Sequence, residues 1–146
     1  MSLSWFIIVL LGCQVQAREI DANTIRTAAK EDPLVGTKAV LQSLNGHNPV
    51  NDTKITAEFV EYDYGLRVVG STGCNQYEFA YQQVGNLLKV SGGVVTQLLC
   101  LEPEDTMNQE KEYLDTLKEV ASFRVSGNDL EMQNESGERI LLYKIG

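Results

Sequence analysis

The residues with the clearest chemical potential are the three cysteines Cys13, Cys74 and Cys100. Cys13 lies in an apolar N-terminal stretch, so removal of that stretch would leave an even pair. An even pair in a chain sent to an oxidising compartment favours a disulfide, whereas the same pair in the cytosol would be two buried thiols. We therefore predict a Cys74–Cys100 disulfide that closes a loop of about 26 residues, with two buried free thiols as the alternative.

Few other residues have the spacing of a catalytic or metal site. The only histidine, His47, lies in a turn-rich loop, and no G-x-S-x-G motif supplies a nucleophile for it. Glu58, Glu61 and Asp63 could in principle form a general acid–base pair, but charges near strand ends are usually solvated. Clustered Cys and His ligands and an alternating acidic calcium loop are both missing from the sequence. We therefore predict no catalytic residue, no metal site and no cofactor.

A short glycine-rich stretch, G-S-T-G, runs from Gly70 to Gly73. It could be read as a phosphate-binding nest, but it lacks the Gly-Lys-Ser/Thr ending of a P-loop and precedes a predicted strand instead of a helix. Glycines permit backbone angles that other residues avoid, and Asn75 can hydrogen-bond the backbone of its own turn. A structural turn is therefore the better interpretation.

Two N-glycosylation sequons begin at Asn51 and Asn134. Both lie in predicted loops, where a glycan would be sterically tolerated. They would be modified only if the chain passes through a eukaryotic secretory pathway.

Size and charge narrow the classes of partner. The chain has 146 residues, enough for one domain. Twelve basic and 20 acidic residues give a formal charge of −8, which disfavours nucleic acid and anionic membranes. With 43% hydrophobic and 22% charged residues, the chain has the composition of a folded protein. We expect a monomer that binds a protein or a small apolar ligand.

The first 17 residues resemble a secretory signal peptide. Their apolar run at residues 5–11 is shorter than the roughly 20 residues needed to cross a membrane, and residues 15–17 resemble a cleavage site. One alternative is a lipoprotein box with lipidation of Cys13, and another is a buried N-terminal strand. Residues 18–34 then form a polar lead-in with at most a short helix. The mature protein would be secreted, or located in the periplasm or cell envelope of a bacterium.

Beyond Gly36 the sequence has an all-β rhythm, with apolar stretches divided by turn signals. Apolar residues alternate with polar ones at period two, which predicts one buried face on several strands. These inward positions include Ala39, Leu41, Ile55, Ala57, Phe59, Tyr77, Phe79 and Tyr81. The Gly92–Gly93 pair is interpreted as a turn between strands at 87–90 and 94–98. Short loops make the seven or eight strands mostly antiparallel.

One segment, residues 103–120, changes to helical spacing. Pro103 suits the first helical position, and Glu104 and Asp105 would face the positive end of the helix dipole. The apolar residues that would pack on the sheet are Met107, Tyr113, Leu114, Leu117, Val120 and Ala121. We therefore predict a mainly β (α+β) fold: a strongly curved antiparallel sheet or incomplete barrel of seven to eight strands, with one helix packed on it.

Three features in this order resemble the META/HslJ domain family: a G-x-x-G-C-N-x-Y turn, a T-x-x-x-C strand, and a helix followed by a closing hairpin. The matching signature positions are Gly70, Gly73, Cys74, Asn75, Tyr77, Thr96 and Cys100. The resemblance assigns residues 35–146 to this domain. The family's usual tryptophan after its opening Gly-Thr is missing, since Lys38 follows Gly36-Thr37.

The resemblance implies an incomplete barrel with one packed helix and a structural role for the signature residues. Family members include bacterial envelope proteins associated with stress and parasite proteins associated with virulence, and they share no enzymatic activity. We accordingly predict a secreted or envelope-located, non-enzymatic binding module. The alternatives are a secreted protease inhibitor, with an inhibitory loop at 47–53 or 92–95, and a hydrolase with an unrecognised site. The aromatic stripe from Tyr77 to Tyr81 either fills the core or lines a ligand pocket.

Overall fold

The computed structural model describes residues 33–146. The predicted signal peptide, Cys13 and nearly all of the polar lead-in lie outside the described residues. Leu34, placed by the sequence in the lead-in, is fully buried in the core. The elements in chain order are β1 (Lys38–Leu44), β2 (Thr56–Tyr62), β3 (Gly65–Ser71), β4 (Gln76–Val84), β5 (Leu87–Val95), α1 (Thr106–Lys118), β6 (Ser122–Ser126), β7 (Asp129–Gln133) and β8 (Arg139–Ile145).

The eight strands form one strongly curved sheet that closes into a ring. Each strand pairs antiparallel with the next, and β1 also pairs with β8. The narrowest junction is between β5 and β6, where Leu87 and Ser122 are the aligned pair. The prediction of a mainly β fold with seven to eight antiparallel strands and one helix is confirmed for residues 33–146.

The core fills the inside of this ring. The inward positions predicted from period two are all buried, and Phe59 packs edge-on against Tyr81 with ring centroids 5.3 Å apart. Burial of one such large apolar side chain stabilises the fold by about 1.5–3 kcal/mol. The aromatic stripe on β4 therefore fills the core, as the simpler of its two interpretations expected.

Helix α1 is shorter than predicted at both ends. It begins at Thr106, after a turn in which the Thr106 hydroxyl donates to the Pro103 carbonyl oxygen at 2.6 Å. Asp105 is the N-cap residue with a φ of 69° and makes no side-chain capping bond, and the first turn contains no acidic residue. Pro103, Glu104 and Asp105, predicted to lie within the first turn of the helix, therefore precede it. The buried face of α1 carries Tyr113 and Leu117, as predicted.

The predicted turn at Gly92–Gly93 is wrong, because β5 continues through both glycines to Val95. Glycine at position 93 allows close backbone approach to β4, since a Cβ there would lie 1.8 Å from the Glu78 carbonyl oxygen. A register shift between Phe79 and Tyr81 marks the irregularity on the facing strand. The predicted strand at 94–98 consequently ends at Val95, and residues 96–100 are not a strand.

Candidate functional site

Asn75 is the centre of a buried polar cluster at the start of β4. Its side chain is only 1% exposed. The amide oxygen accepts hydrogen bonds from Thr96 Oγ1 at 2.8 Å and from the Leu98 backbone nitrogen at 2.7 Å. The amide nitrogen donates to the Leu98 carbonyl oxygen at 3.0 Å and to Glu110. One asparagine thus fixes both backbone groups of Leu98.

Glu110 connects the helix to this cluster. It is 8% exposed, and its carboxylate accepts hydrogen bonds from the Thr72 hydroxyl, the Asn75 backbone nitrogen at 3.2 Å and Asn75 Nδ2 at 2.9 Å. These partners are all neutral, and among residues 33–146 no basic side chain forms an ion pair with the carboxylate. Glu110 was not predicted from the sequence. The available signal was its position, three residues before Tyr113 on the buried face of α1.

The turn from Gly70 to Asn75 owes its shape to its glycines and to Thr72. A Cβ on Gly70 would lie 2.0 Å from the Thr56 carbonyl oxygen, and Gly73 has a φ of 93°, which disfavours other residues. The buried Thr72 hydroxyl accepts a hydrogen bond from the Asn75 backbone nitrogen at 2.9 Å. The signature glycines are therefore required by close packing and by the geometry of the turn.

Cys74 and Cys100 lie at disulfide distance, with Cα atoms 5.9 Å apart. The bond links the signature turn to the segment before α1. Thr96 at the start of that segment accepts a hydrogen bond from the Gln76 backbone nitrogen at 3.0 Å. The structure therefore brings the turn residues, Thr96 and Cys100 together, which the sequence predicted as one signature but could not arrange in space.

The segment held by this cluster displays three large apolar side chains to solvent. Leu98, Leu99 and Leu101, here called the leucine segment, are 64%, 73% and 71% exposed. Leu99 makes no hydrogen bond among residues 33–146, although the residues on either side of it are fixed. A contiguous apolar group on an ordered surface is typical of an interaction site. This surface was not predicted from the sequence, because Leu98 was expected to lie in a strand.

Tyr77 belongs to a second buried network. Its hydroxyl donates to the Thr56 carbonyl oxygen at 2.8 Å and lies 2.7 Å from the Tyr113 hydroxyl, which in turn lies 2.8 Å from that of Tyr143. Burial raises the pKa of Tyr77, Tyr113 and Tyr143 well above the usual tyrosine value. All three remain neutral at physiological pH, which suits them for cross-linking the sheet and α1.

The other residues singled out in the sequence are not brought into one site. His47 is exposed in the turn after β1, and Asn51 is exposed nearby. Asn134 Oδ1 accepts hydrogen bonds from the backbone nitrogens of two residues in its own turn, and Asn134 Nδ2, the atom to which a glycan would be attached, donates to Glu138 at 2.9 Å. Glu58 pairs with Lys38 at 3.0 Å.

The two loops proposed for protease inhibition have other structural roles. Residues 92–95 belong to β5, and residues 47–53 are held against α1 by Gln109. The Gln109 side chain accepts a hydrogen bond from the Val50 nitrogen at 2.5 Å and donates to Thr53 Oγ1 at 3.0 Å. Residues 92–95 therefore form part of a strand and not a loop, and residues 47–53 form a loop that is anchored to α1.

One groove lies on the outside of the sheet. It has a volume of about 790 Å³, runs over β1 to β5, and is lined by apolar residues such as Val69 and Val95 together with charged ones such as Lys38 and Glu58. Within residues 33–146, no three His, Cys, Asp or Glu side chains are grouped so that they could hold a metal ion. No helix in the same part of the chain has the length and hydrophobicity to span a membrane.

These features define a class of small β domains in which a disulfide and a buried asparagine clamp one helix and one exposed loop to a curved sheet. The chain belongs to the META domain family, whose model matches residues 32–145. A protein from Burkholderia xenovorans solved by NMR has a similar fold, with a TM-score of 0.62 and 19% identity, over 77% of this chain and 83% of that one. A second NMR structure matches with a TM-score of 0.58 and 23% identity, over 77% and 91% of the two chains. No curated protein matches this chain.

Proposed function

We propose that this META-family protein is a secreted or envelope-located, non-enzymatic binding protein, and that the leucine segment is its binding surface. The observation that carries the proposal is the exposure of Leu98, Leu99 and Leu101 on a segment that is fixed by Asn75 and a disulfide. A flexible loop could bury its leucines by collapsing onto the sheet. This segment is held away from the core, so its apolar surface stays available to a partner.

The energetics of binding favour such a segment. Burial of apolar surface contributes about 25 cal/mol per Å², and each rotamer-rich side chain ordered on binding costs about 0.5–1.5 kcal/mol. Because the backbone of Leu98 and the Cα of Cys100 are already fixed, most of the backbone ordering is completed during folding. In many interfaces a few residues near the centre supply most of the affinity.

Two further observations support location outside the cytosol and a non-catalytic role. A disulfide persists in oxidising compartments and is rare in the cytosol. Of the residues considered for catalysis, His47 is exposed on a turn and Glu58 forms an ion pair with Lys38. A mass measurement of the mature N-terminus tests the export step, because an intact Met1 would contradict both signal cleavage and lipidation.

The binding proposal is tested by affinity capture from the native extracytoplasmic fluid with three immobilised proteins. These are the wild type, Leu99→Ser and the matched control Val125→Ser, whose substituted residue is 47% exposed on a different strand. We expect one partner to be retained by the wild type and the control and to be lost from Leu99→Ser. Retention of the same proteins by all three would contradict the proposal, as would the absence of any retained partner.

A further inference from the structure

We infer that the leucine segment is a substrate-like inhibitory loop that enters the active-site cleft of a serine protease, with Leu99 in an apolar primary specificity pocket. This inference rests on the proposed function and names the class of partner. It assigns the inhibitory role to residues 98–100, in place of the two loops that the sequence suggested.

The backbone around Leu99 is held on both sides. The segment continues directly from β5 and contains no helix or turn between residues 96 and 101. The Leu98 nitrogen and carbonyl oxygen are both bonded to the Asn75 side chain, at 2.7 and 3.0 Å, and Cys100 is bonded to Cys74. Leu99 lies between two fixed residues, with its side chain 73% exposed and its backbone groups unpaired among residues 33–146.

This arrangement matches what a protease cleft recognises. Such a cleft takes one side chain into its primary pocket, and a hydrophobic slot accepts a large apolar residue such as leucine, whereas a pocket with an aspartate at its base selects a basic one. Peptides bound as extended chains gain affinity from main-chain hydrogen bonds and specificity from side-chain pockets. A loop already fixed in its bound shape avoids the ordering cost that a flexible substrate incurs.

The peptide bond after Leu99 would be the one that a protease cleaves. Hydrolysis would add water across the Leu99–Cys100 peptide, breaking the C–N bond to give a Leu99 carboxylate and a Cys100 amine. Neither end could leave, because Leu98 stays bonded to Asn75 and Cys100 stays bonded to Cys74. Before hydrolysis, attack by the protease's serine breaks the same C–N bond to give an ester at the Leu99 carbonyl and a free Cys100 amine. Because this amine stays tethered beside the ester, it can attack the ester, re-form the peptide bond and release the serine, so the loop occupies the cleft instead of being consumed.

The negative charge around the leucine segment favours a protease over a lipid membrane as the partner. The segment is followed by the exposed acidic residues Glu102, Glu104 and Asp105, and the whole chain carries a formal charge of −8. An anionic bilayer repels such a surface. A protein cleft with an apolar pocket places no such requirement on the residues beyond the pocket.

The test is an inhibition titration of the mature, oxidised protein against chymotrypsin and subtilisin, with trypsin as the enzyme of different specificity. Residual activity is measured on a small chromogenic substrate. We expect the wild type to inhibit at least one of the first two enzymes competitively and to leave trypsin active. Leu99→Lys should weaken that inhibition by about 100-fold, the loss typical of a central interface residue, and should create inhibition of trypsin. Val125→Lys makes the same charge change elsewhere and should change neither.

Three results would overturn the inference: no inhibition of chymotrypsin or subtilisin by the wild type, rapid cleavage after Leu99 with turnover as a substrate, or an unchanged profile in Leu99→Lys. Vesicles containing phosphatidylserine provide the membrane comparison, and binding to them without enzyme inhibition would also contradict it. A far-ultraviolet spectrum and melting curve show whether each variant is folded. If the wild type inhibits neither enzyme but Leu99→Ser still loses its captured partner, the protease is excluded and the binding proposal stands.

Discussion

Replacement of Asn75 by alanine tests whether the buried cluster holds the leucine segment in place. The change removes three neutral hydrogen bonds, two to Leu98 and one to Thr96, and one to the Glu110 carboxylate. A neutral hydrogen bond contributes about 0.5–1.5 kcal/mol and one to a charged group about 1.5–3 kcal/mol. Allowing for water entry, we expect the free energy of unfolding to fall by about 3–5 kcal/mol, a large share of the roughly 5–15 kcal/mol typical of a domain.

The assay is urea denaturation at pH 7 followed by circular dichroism, since the only tryptophan, Trp5, lies in the predicted signal peptide. Gln76→Ala is the matched control, because it changes an exposed neighbour and should cost no more than about 0.5 kcal/mol. A double-mutant cycle of Asn75→Ala with Glu110→Ala should give a coupling energy of at least about 1 kcal/mol. A loss below about 1 kcal/mol for Asn75→Ala, or additive effects in the cycle, would refute the reasoning.

Three other predictions concern the disulfide, the sheet and the buried tyrosines. Replacing Cys74 and Cys100 by serine should lower the free energy of unfolding by about 3.5 kcal/mol, from the entropy of the closed loop, and equal denaturation midpoints for variant and wild type would contradict this. Gly93→Ala should cost at least about 2 kcal/mol, because its Cβ would lie 1.8 Å from a carbonyl oxygen, whereas Gly92→Ala meets nothing within 4 Å and should denature like the wild type. Stability should be constant below the ordinary tyrosine pKa near 10 and fall above it by up to about 1.4 kcal/mol per pH unit for each buried tyrosine, because the unfolded chain ionises first. Tyr113→Phe should reduce that slope in alkaline denaturation, and an unchanged slope would contradict the assignment.

The strands and the helix could be predicted because each has one buried face and one exposed face. That asymmetry gives period-two alternation in β2 and β4 and helical spacing in α1. The ends of these elements were harder to predict from the sequence. Gly92–Gly93 resembles a turn in sequence, but its role is to let β5 approach β4, and only the contact with Glu78 reveals this.

The candidate site was predicted only in part, because its geometry depends on contacts distant in sequence. The apolar run from Val94 to Leu101 has the composition of a buried strand, and nothing local shows that its leucines face solvent. The leucines are exposed because the side chain of Asn75, 23 residues before Leu98, binds the backbone of the segment. The role of Glu110 could not be predicted from the sequence either, since an acidic residue on the buried face of a helix indicates a buried partner without identifying it.

The central claim is that the leucine segment is an ordered surface held by Asn75 and the disulfide. The most direct measurement is the ¹⁵N relaxation order parameter of the Leu99 amide in the oxidised wild type and in Asn75→Ala. We predict a wild-type value near that of rigid backbone, about 0.85, and a clear decrease in Asn75→Ala. A wild-type value below about 0.6, or the same value in both proteins, would contradict the account.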